Sequence, residues 1–342
     1  MMKDITVSRT SIIKYQEYLS KKEAIDVINK LTNQSIPFIV LIDFMAKRSL
    51  VISKSQFNRA PLRISFPEYS LNHRQKELGT LKLRLIKYPV PFKDYLESFN
   101  RIMDRIKKGN SFLANLTFQT PISLNLTLEE IFQYSKSKYK VLFSEKFVAA
   151  SPEPFIKIRK GKIYTYPMKG TINARIPRAQ QILQDDKKEN SEHITIVDLL
   201  RNDLSRVADK VCVEKYKYFE TIETQDKKII QMSSCISGEL SDDYMSKIGD
   251  IIYAMLPAGS ITGAPKSETI NMISEIENHE RDFYTGICGY FDGESFDSCV
   301  LIRFVEKKGE KYFYRSGGGI TYQSNAKKEY QEMIDKIYVP VY

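Results

Sequence analysis

The chain alternates between short apolar runs, which predict strands, and stretches whose apolar residues recur every three or four positions, which predict helices. Phe99, Ile102, Met103 and Ile106 have the helical spacing, and Gly109 marks the end of that helix. Further helices are expected at residues 21–31, 179–204, 244–255, 267–278 and 325–337. Strands are expected at residues 38–44, 81–88 and 112–120.

Two pairs of apolar runs flank short turns that contain lysine and glycine, and each pair predicts a β-hairpin. The first pair covers residues 155–158 and 163–166, and the second covers residues 299–306 and 311–315. Because the strands come in antiparallel pairs with helices between them, we predict an α+β fold rather than a doubly wound parallel sheet.

No internal repeat and no low-complexity linker divides the 342 residues. Residues 1–80 combine one helix, one strand and a polar segment at residues 53–80, and we interpret them as a short N-terminal lobe packed on the core. Residues 81–342 would form that core. The apolar content of 42% is enough for a large buried interior, so we expect one compact unit.

The net charge of +10 would suit nucleic acid, an anionic membrane surface or a small anionic ligand. The basic residues are dispersed, and clusters such as Lys21-Lys22 and Lys187-Lys188 are short. Because the chain has no arginine-rich tract and no basic–aromatic repeat, nucleic-acid binding is not expected. A diffuse positive field that attracts a dianion fits the pattern equally well.

The four cysteines and three histidines have no zinc-binding spacing, and free thiols in a reducing cytoplasm are the natural interpretation. The N-terminus has no apolar signal core. The most apolar run, at residues 36–46, is interrupted by Asp43 and is too short to span a bilayer. We therefore expect a cytoplasmic location and no membrane partner.

Two predicted helices carry carboxylates three residues apart, Glu189 with Glu192 and Glu329 with Glu332. Each pair shares a helix face, and Lys336 lies on the same face as Glu329. If the two faces met, they would form an oxygen-rich pocket of the kind that Mg²⁺ prefers. Spacing alone fits solvated helix faces better.

Arg303 lies in an apolar run, where an arginine must face water or pair with an anion such as a ligand carboxylate. Gly317, Gly318 and Gly319 follow the next predicted strand, where they would let N–H groups point at an anion. The alternatives are an outward-facing arginine on an edge strand and a plain tight turn, and the sequence alone leaves both open.

The segment at residues 259–266 superficially resembles a phosphate-binding loop, but its glycine and lysine are not adjacent and Pro265 interrupts it. Nucleotide binding is therefore rejected. Lys169 lies beside Gly170 after a predicted strand. A lysine in such a place is a nucleophile only if its amine is desolvated or partnered, and most lysines are surface residues.

Taken together, the motifs resemble the chorismate-utilising enzymes, which include anthranilate synthase component I, aminodeoxychorismate synthase component I and the isochorismate and salicylate synthases. They occur in family order over residues 85–340. The resemblance implies the anthranilate-synthase type of fold, an antiparallel β-sandwich surrounded by helices. The matching segments are residues 151–155, 167–171, 192–193, 197–204, 256–266, 277–286, 302–303 and 317–332.

The resemblance also implies roles. Glu192 and Glu332 match the Mg²⁺ ligands of the family, with Glu189 and Glu329 lining the same site, and the ion would hold the ring carboxylate of chorismate. A further set matches positions that bind the rest of the substrate, with Arg303 and Tyr284 holding the enolpyruvyl carboxylate. That set consists of Arg303, Tyr284, Thr262, Thr171, Lys336, Gly317, Gly318 and Gly319.

Two positions distinguish the members of the family. Aminodeoxychorismate synthases carry lysine where this chain has Lys169, whereas anthranilate synthases carry alanine. Isochorismate and salicylate synthases carry a basic lysine at the position of Leu113. The resemblance thus implies an aminodeoxychorismate synthase component I in which Lys169 attacks C2 of chorismate and Glu153 protonates the leaving C4 hydroxyl.

The resemblance further implies a separate glutamine amidotransferase subunit that supplies ammonia, because no glutaminase triad can be recognised in this sequence. Two alternatives remain. The first is anthranilate synthase component I, which aminates chorismate at C2. The second is a non-catalytic basic binding protein, for which the set of carboxylates has no explanation.

Overall fold

A computed structural model describes residues 18–71, 83–223 and 228–341 of the chain. The helices are α1 (Lys21–Asn33), α2 (Phe92–Lys107), α3 (Leu128–Tyr134), α4 (Ala179–Asp185), α5 (Lys187–Leu204), α6 (Ile248–Met255), α7 (Lys266–Ile276) and α8 (Ala326–Asp335). The strands are β1 (Phe38–Ile42), β2 (Ser49–Ser53), β3 (Leu62–Phe66), β4 (Tyr69–Leu71), β5 (Leu85–Lys87), β6 (Leu113–Leu124), β7 (Tyr139–Phe143), β8 (Phe147–Ser151), β9 (Pro154–Arg159), β10 (Lys162–Thr165), β11 (Met168–Asn173), β12 (Asp209–Glu223), β13 (Lys228–Glu239), β14 (Gly263–Ala264), β15 (Ile287–Phe291), β16 (Phe296–Val300), β17 (Phe304–Lys308) and β18 (Lys311–Thr321).

The strands form two antiparallel sheets. The first sheet has the order β11-β13-β10-β9-β16-β15-β1-β2, with β12 also paired to β13. The second sheet has the order β14-β6-β18-β17-β8-β7-β3-β4, with β5 also paired to β6. Together with the helices around them, these sheets confirm the predicted α+β fold.

The two sheets pack face to face, and helices cover the far side of the first sheet. β1 is buried along its whole length because both of its faces are covered. Phe38, Val40 and Ile42 pack in one cluster with residues of α1, α5 and α6. Ile39 and Leu41 alternate with them and pack in a second cluster with residues of the second sheet, as the two-residue period of a strand requires.

The predicted N-terminal lobe contributes to both sheets. β1 and β2 belong to the first sheet, whereas β3 and β4, which lie in the predicted polar segment, belong to the second. Residues 1–17 and 72–80 of this lobe lie outside the described residues, as do the first two residues of the strand expected at 81–88. The boundary at residue 80 stays a prediction.

The single helix expected at residues 179–204 is wrong, because it is two helices, α4 and α5. Asp186 separates them, with extended backbone angles and a side chain that accepts a hydrogen bond from the N–H of Glu189. Aspartate is a favoured N-cap residue, since its carboxylate satisfies an otherwise unpaired N–H of the first turn. The new helix start sets the direction in which Glu189 and Glu192 point.

The strand expected at residues 299–306 is also divided. β16 ends at Val300 in the first sheet, and β17 begins at Phe304 in the second. The chain therefore crosses between the sheets at residues 301–303, and Arg303 takes a left-handed conformation with φ of 52°. The first predicted hairpin is confirmed by the pairing of β9 with β10, and the second by that of β17 with β18.

Among the described residues, no helix has both the length and the apolar character needed to cross a membrane.

Candidate active site

Charged side chains from β11, α5 and the C-terminal end of the chain meet in one group. We call Lys169, Lys188, Glu192, Glu329, Glu332 and Lys336 the lysine–carboxylate cluster. Lys169 Nζ lies 3.5 Å from Glu192 Oε2. Lys188 Nζ lies 2.8 Å from Glu329 Oε1 and 3.7 Å from Glu192 Oε1. The helix faces on which the carboxylates were predicted to lie do face each other.

A β-bulge points Lys169 into this cluster. Lys169 pairs with Met232 of β13 and Thr171 with Gln231, so Gly170 is the extra residue between them. Gly170 has φ of 77°, which glycine adopts without steric cost. A Cβ at this position would lie 2.8 Å from Leu183 Cδ1, so the strand also needs glycine to approach α4.

The glycine run lies inside β18, where it forms one wall of the cluster, and the expectation that it follows a strand is wrong. A Cβ at Gly318 would lie 3.8 Å from Lys336 Nζ and 3.9 Å from Glu329 Oε2. At Gly319 it would lie 3.6 Å from Lys169 Nζ and 3.7 Å from Glu192 Oε2. These distances are ordinary van der Waals contacts, so the glycine run borders the charged groups directly.

One edge of the glycine run is open. β18 pairs with β6 along Gly317, Gly318 and Gly319, but on its other side β17 begins only at Phe304, opposite Arg315. Within the described sheets no strand covers the glycines on that side. Backbone N–H groups that point outward there are suited to an anionic ligand.

Four carboxylates of this region suit Mg²⁺ in kind. Glu192 and Glu329 contact the same ammonium group, that of Lys188, and Glu332 Oε1 lies near Gly318 with Glu329. Glu189 lies beside Gly170, where burial, followed by the charge of Glu192, raises its pKa. Mg²⁺ prefers one or two carboxylates together with substrate oxygens and water, and these residues offer the carboxylates.

Lysines neutralise these carboxylates in the structure. No three acidic or metal-ligating side chains among the described residues lie close enough together to hold a metal ion by themselves. Glu332 Oε1 lies 2.8 Å from Lys336 Nζ, and the Lys336 charge and hydrogen bond lower the Glu332 pKa in spite of its burial. Burial works against the Lys188 ammonium, but the Glu329 hydrogen bond and the Glu329 and Glu192 charges outweigh it and raise the Lys188 pKa.

Glu153 immediately precedes β9 and lies within electrostatic reach of Lys169. The Ser260 hydroxyl donates a hydrogen bond to Glu153 Oε1. Burial raises the pKa of the Glu153 carboxyl, and the Ser260 hydrogen bond and the charges of Lys169, Arg303 and Lys336 only partly offset it. A carboxyl group with a raised pKa is suited to donate a proton near neutral pH.

The direct contacts of Arg303 are with a tyrosine. Its Nε donates to Tyr338 Oη at 3.0 Å, and its guanidinium lies 5.0 Å from the centre of that ring. Tyr284 and Tyr314 lie nearby, and burial raises the pKa of Tyr284 to about 12. No carboxylate of the described chain forms an ion pair with Arg303, so its charge is available to an anionic ligand.

The remaining predicted residues take different positions. Lys336 donates to the Gly317 carbonyl at 3.1 Å, which places it between the glycine run and α8. The buried Thr262 hydroxyl bonds within its own loop, to the carbonyls of Ala258 and Gly259. Thr171 is exposed on β11, and no hydrogen bond in the described part of the chain joins its side chain to the cluster.

Two buried ion pairs hold the loops around the site. Lys266 Nζ lies 2.7 Å from Asp203 Oδ2, and this ion pair connects α7 to the end of α5. The lysine of the loop that resembles a phosphate-binding loop thus binds a carboxylate of the protein and has a structural role. Arg281 Nη2 lies 2.7 Å from Glu277 Oε1, and its Nη1 donates to the Ile261 carbonyl at 2.8 Å. Both pairs are found in segments that were matched to the family.

Two residues of the site were not predicted. Lys188 lies four positions before Glu192, so the helical pattern contained a signal for it. Ser260 is far from Glu153 in the sequence, and no spacing could have indicated their contact. Leu113 Cδ1 would lie 3.0 Å from a Cβ at Gly319, so this position does belong to the site, next to Lys169.

A cavity of about 760 Å³ opens at the edge of the cluster. Glu192, Lys188 and Leu113 line it together with the outer face of α5, Phe112 and Tyr322. Lys169 and Glu153 lie beyond this lining, so the cavity is an approach to the cluster and not its centre.

Known proteins are similar to this chain over most of its length. The "Uncharacterized PabA-like protein" of Haemophilus influenzae is 44% identical over 93% of this chain and 96% of its own length. Aminodeoxychorismate synthase component 1 of Salmonella typhimurium is 31% identical over 71% of this chain, and anthranilate synthase component 1 of Aquifex aeolicus is 30% identical over 76%. Each of these two matches covers 56% of the relative.

Among solved structures, the menaquinone-specific isochorismate synthase MenF of Escherichia coli has a similar fold, with a TM-score of 0.72 and 18% identity over 94% of this chain and 82% of that chain. The sequence profile of the chorismate binding enzymes matches residues 36–341. The ordered motifs, the two antiparallel sheets and this match agree, and the chain belongs to the chorismate binding enzyme family.

Proposed function

We propose that this chain is an aminodeoxychorismate synthase component I, which converts chorismate and ammonia to 4-amino-4-deoxychorismate. The observation that carries the proposal is the position of Lys169, whose Nζ lies 3.5 Å from Glu192 Oε2 and whose charge acts on the buried Glu153, with the apolar Leu113 beside it. An amine is available there as a nucleophile, and the position at which water-activating relatives carry a base cannot accept a proton.

The proposed reaction has two displacements. The neutral Lys169 amine bonds to C2 of chorismate and loses a proton, both conjugated ring double bonds shift, and the C4 hydroxyl leaves as water with the proton of Glu153. Ammonia then bonds to C4, both double bonds shift back, and Lys169 leaves C2 as it regains a proton. The proton that ammonia releases restores Glu153.

The other residues of the site would orient the substrate. Arg303 and the outward N–H groups of the glycine run would bind one carboxylate of chorismate. Glu192 and Glu332, with Glu189 and Glu329 beside them, would hold Mg²⁺, which when bound supplies charge neutralisation for the other carboxylate. The assignment is supported by the contact of Glu192 and Glu329 with one ammonium group, which means that these two carboxylates lie close together.

Product identification tests the proposal against the anthranilate alternative. The protein is incubated with chorismate, Mg²⁺ and ammonium, and the products are separated by chromatography and identified by mass and fluorescence. We expect 4-amino-4-deoxychorismate. Anthranilate as the main product would refute the proposed function and favour amination at C2.

The covalent step has a separate test. Without ammonia, intact-protein mass spectrometry should show an adduct on the wild-type chain equal to chorismate less one water, and no adduct on Lys169→Ala. The exposed Lys187 of α5 supplies the control, since Lys187→Ala should form the adduct normally. C4 amination by Lys169→Ala at the wild-type rate with saturating ammonia would exclude an obligatory covalent step.

A separate glutamine amidotransferase subunit is proposed as the source of ammonia. Cys235, Cys288 and Cys299 are buried, and burial raises the pKa of each thiol, so none of the three is suited to attack glutamine. The exposed Cys212 lies 3.7 Å from Ser237 Oγ, and no hydrogen bond among the described residues joins it to a histidine that could activate it. Glutamine alone should therefore not replace ammonium in the assay, whereas glutamine with an amidotransferase subunit should.

A further inference from the structure

Lys188 has the position that a cation would take between the two carboxylate-bearing segments. Its Nζ contacts Glu329 at 2.8 Å and Glu192 at 3.7 Å, and these residues belong to different helices. Both carboxylates are buried, Glu192 with 8% and Glu329 with 2% of the side chain exposed. Buried carboxylates need a cationic partner. The Lys188 ammonium contacts both of them, and Lys169 Nζ also lies 3.5 Å from Glu192 Oε2.

The other lysines of the cluster do not bridge helices in this way. Among the ion pairs of the described residues, Lys169 contacts Glu192, and Lys336 contacts Glu332 one helical turn before it. Lys188 also lines the approach cavity, so its flexible side chain has space into which it can move. Lys188 thus both contacts the two carboxylates and borders open space.

We propose that Lys188 is an internal competitor of Mg²⁺: its ammonium group bridges Glu192 and Glu329 in the metal-free protein and must move into the cavity before the ion binds. This inference rests on the proposed function in that it assumes a metal at the same carboxylates. The lysine keeps the two helix faces together without the ion, and it weakens the affinity of the substrate-free protein for the ion.

The consequence is measurable without any catalytic turnover. Lys188→Met keeps most of the aliphatic stem but removes the charge that occupies the carboxylates. A hydrogen bond between charged groups contributes about 1.5–3 kcal/mol, so the substrate-free variant should bind Mg²⁺ roughly tenfold more tightly or better than the wild type. Calorimetric titration with MgCl₂ at pH 8 gives this affinity.

Lys187→Met is the matched control, because it makes the same change in net charge one residue earlier on the same helix at an exposed position. Its Mg²⁺ affinity should stay within about twofold of the wild type, since exposed charges are screened. Equal tightening in both variants would reduce the effect to net charge and overturn the proposal. Unchanged or weaker binding by Lys188→Met, or no binding by any form, would overturn it as well.

Removal of Lys188 leaves Glu329 buried without its partner, so the variant is expected to be less stable. Thermal unfolding provides a second measurement that uses this fact. A fixed MgCl₂ concentration should raise the Tm of Lys188→Met more than that of the wild type or of Lys187→Met. An equal rise in all three proteins would contradict the inference even if the calorimetry were prevented by low stability.

The inference and the proposed function fail separately. Anthranilate as the product would refute the proposed reaction but leave the tighter Mg²⁺ binding of Lys188→Met intact. Unaltered metal affinity combined with formation of 4-amino-4-deoxychorismate would refute the role of Lys188 alone.

Discussion

At the scale of single residues, the proposed chemistry needs two ionisable groups in their uncharged forms. Glu153 must hold a proton while Lys169 must lose one, and the two groups lie within one electrostatic environment. Burial raises the Glu153 pKa and so favours the neutral carboxyl group. The Ser260 hydroxyl donates a hydrogen bond to the carboxylate and thereby lowers this pKa in part. Ser260 is thus a positioning residue with an effect on proton affinity.

Ser260→Ala tests this effect on the pH dependence of the reaction. The hydrogen bond from Ser260 lowers the Glu153 pKa, so its loss should raise that pKa further. An acid catalyst must be protonated, so the decline of kcat on the alkaline side should move to higher pH in the variant. Steady-state rates across the pH range give the profile.

Ser260→Thr keeps the hydroxyl and provides the comparison, and its profile should stay close to that of the wild type. A uniform loss of rate in Ser260→Ala without any displacement of the alkaline limb would show that Ser260 contributes packing alone.

Sequence motifs were informative at this scale only where chemistry and helical spacing coincide. Glu192 and Glu329 could be placed because periodicity assigns a helix face. The ion pairs that neutralise these carboxylates could not be predicted, because Lys188 contacts Glu329 only through the tertiary packing of α5 against α8. The same holds for Ser260 and Glu153, whose contact depends on how a loop packs against β9.

At the scale of secondary-structure elements, irregularities in strands position the site. The bulge at Gly170 directs Lys169, and the left-handed Arg303 allows the chain to pass from one sheet to the other. Apolar patterns predicted the regular parts of these elements, such as β9 with β10. They did not predict the break after Val300, because both halves are apolar and only the identity of the partner strand differs.

Gly170→Ala should be destabilising for two reasons, the positive φ and the short approach to Leu183. Gly161→Ala isolates the first reason, since Gly161 has φ of 73° but a Cβ there would meet only Tyr244 Cε1, at 4.0 Å. The left-handed conformation costs about 1–2 kcal/mol in each variant. Overpacking should add about 1–3 kcal/mol to the loss of unfolding free energy in Gly170→Ala alone.

Urea denaturation at neutral pH gives the free energy of unfolding of both variants. The amount of covalent adduct reports whether the Lys169 side chain is still correctly positioned. Gly161→Ala should form the adduct as the wild type does, whereas Gly170→Ala should form less. Equal stability losses in the two variants would mean that α4 moves away from β11 without cost.

At the scale of the whole molecule, buried histidines connect stability to pH. His193 is fully buried beside Ser234, with Nε2 and Oγ 2.7 Å apart, and burial lowers its pKa to about 4. His279 behaves alike: burial lowers its pKa to about 4 as well. In both cases the folded protein favours the neutral ring, so the unfolded chain binds more protons between pH 6.5 and 4.

The free energy of unfolding should therefore decrease as the pH falls through this window. The contribution of His193 amounts to about 2 kcal/mol between pH 7 and pH 5. His193→Asn removes the titrating ring, so its unfolding free energy should change less between these two pH values than that of the wild type. Urea denaturation of both proteins at pH 7 and pH 5 gives the difference. The same pH-dependent loss in both would exclude His193 as its source.

The pairing of β1 with β15 joins the beginning of the described chain to a strand near its end, and β18 pairs with β6 in the same long-range manner. Such pairings are slow to form, because distant segments must find each other before any contact stabilises them. On the ribosome, the first sheet could not be completed until β16 had emerged, and the second not until β18 had emerged. Early products of synthesis would therefore expose unpaired strand edges. The architecture that unites the charged cluster thus also makes its assembly a late event in folding and a point at which chaperones would matter.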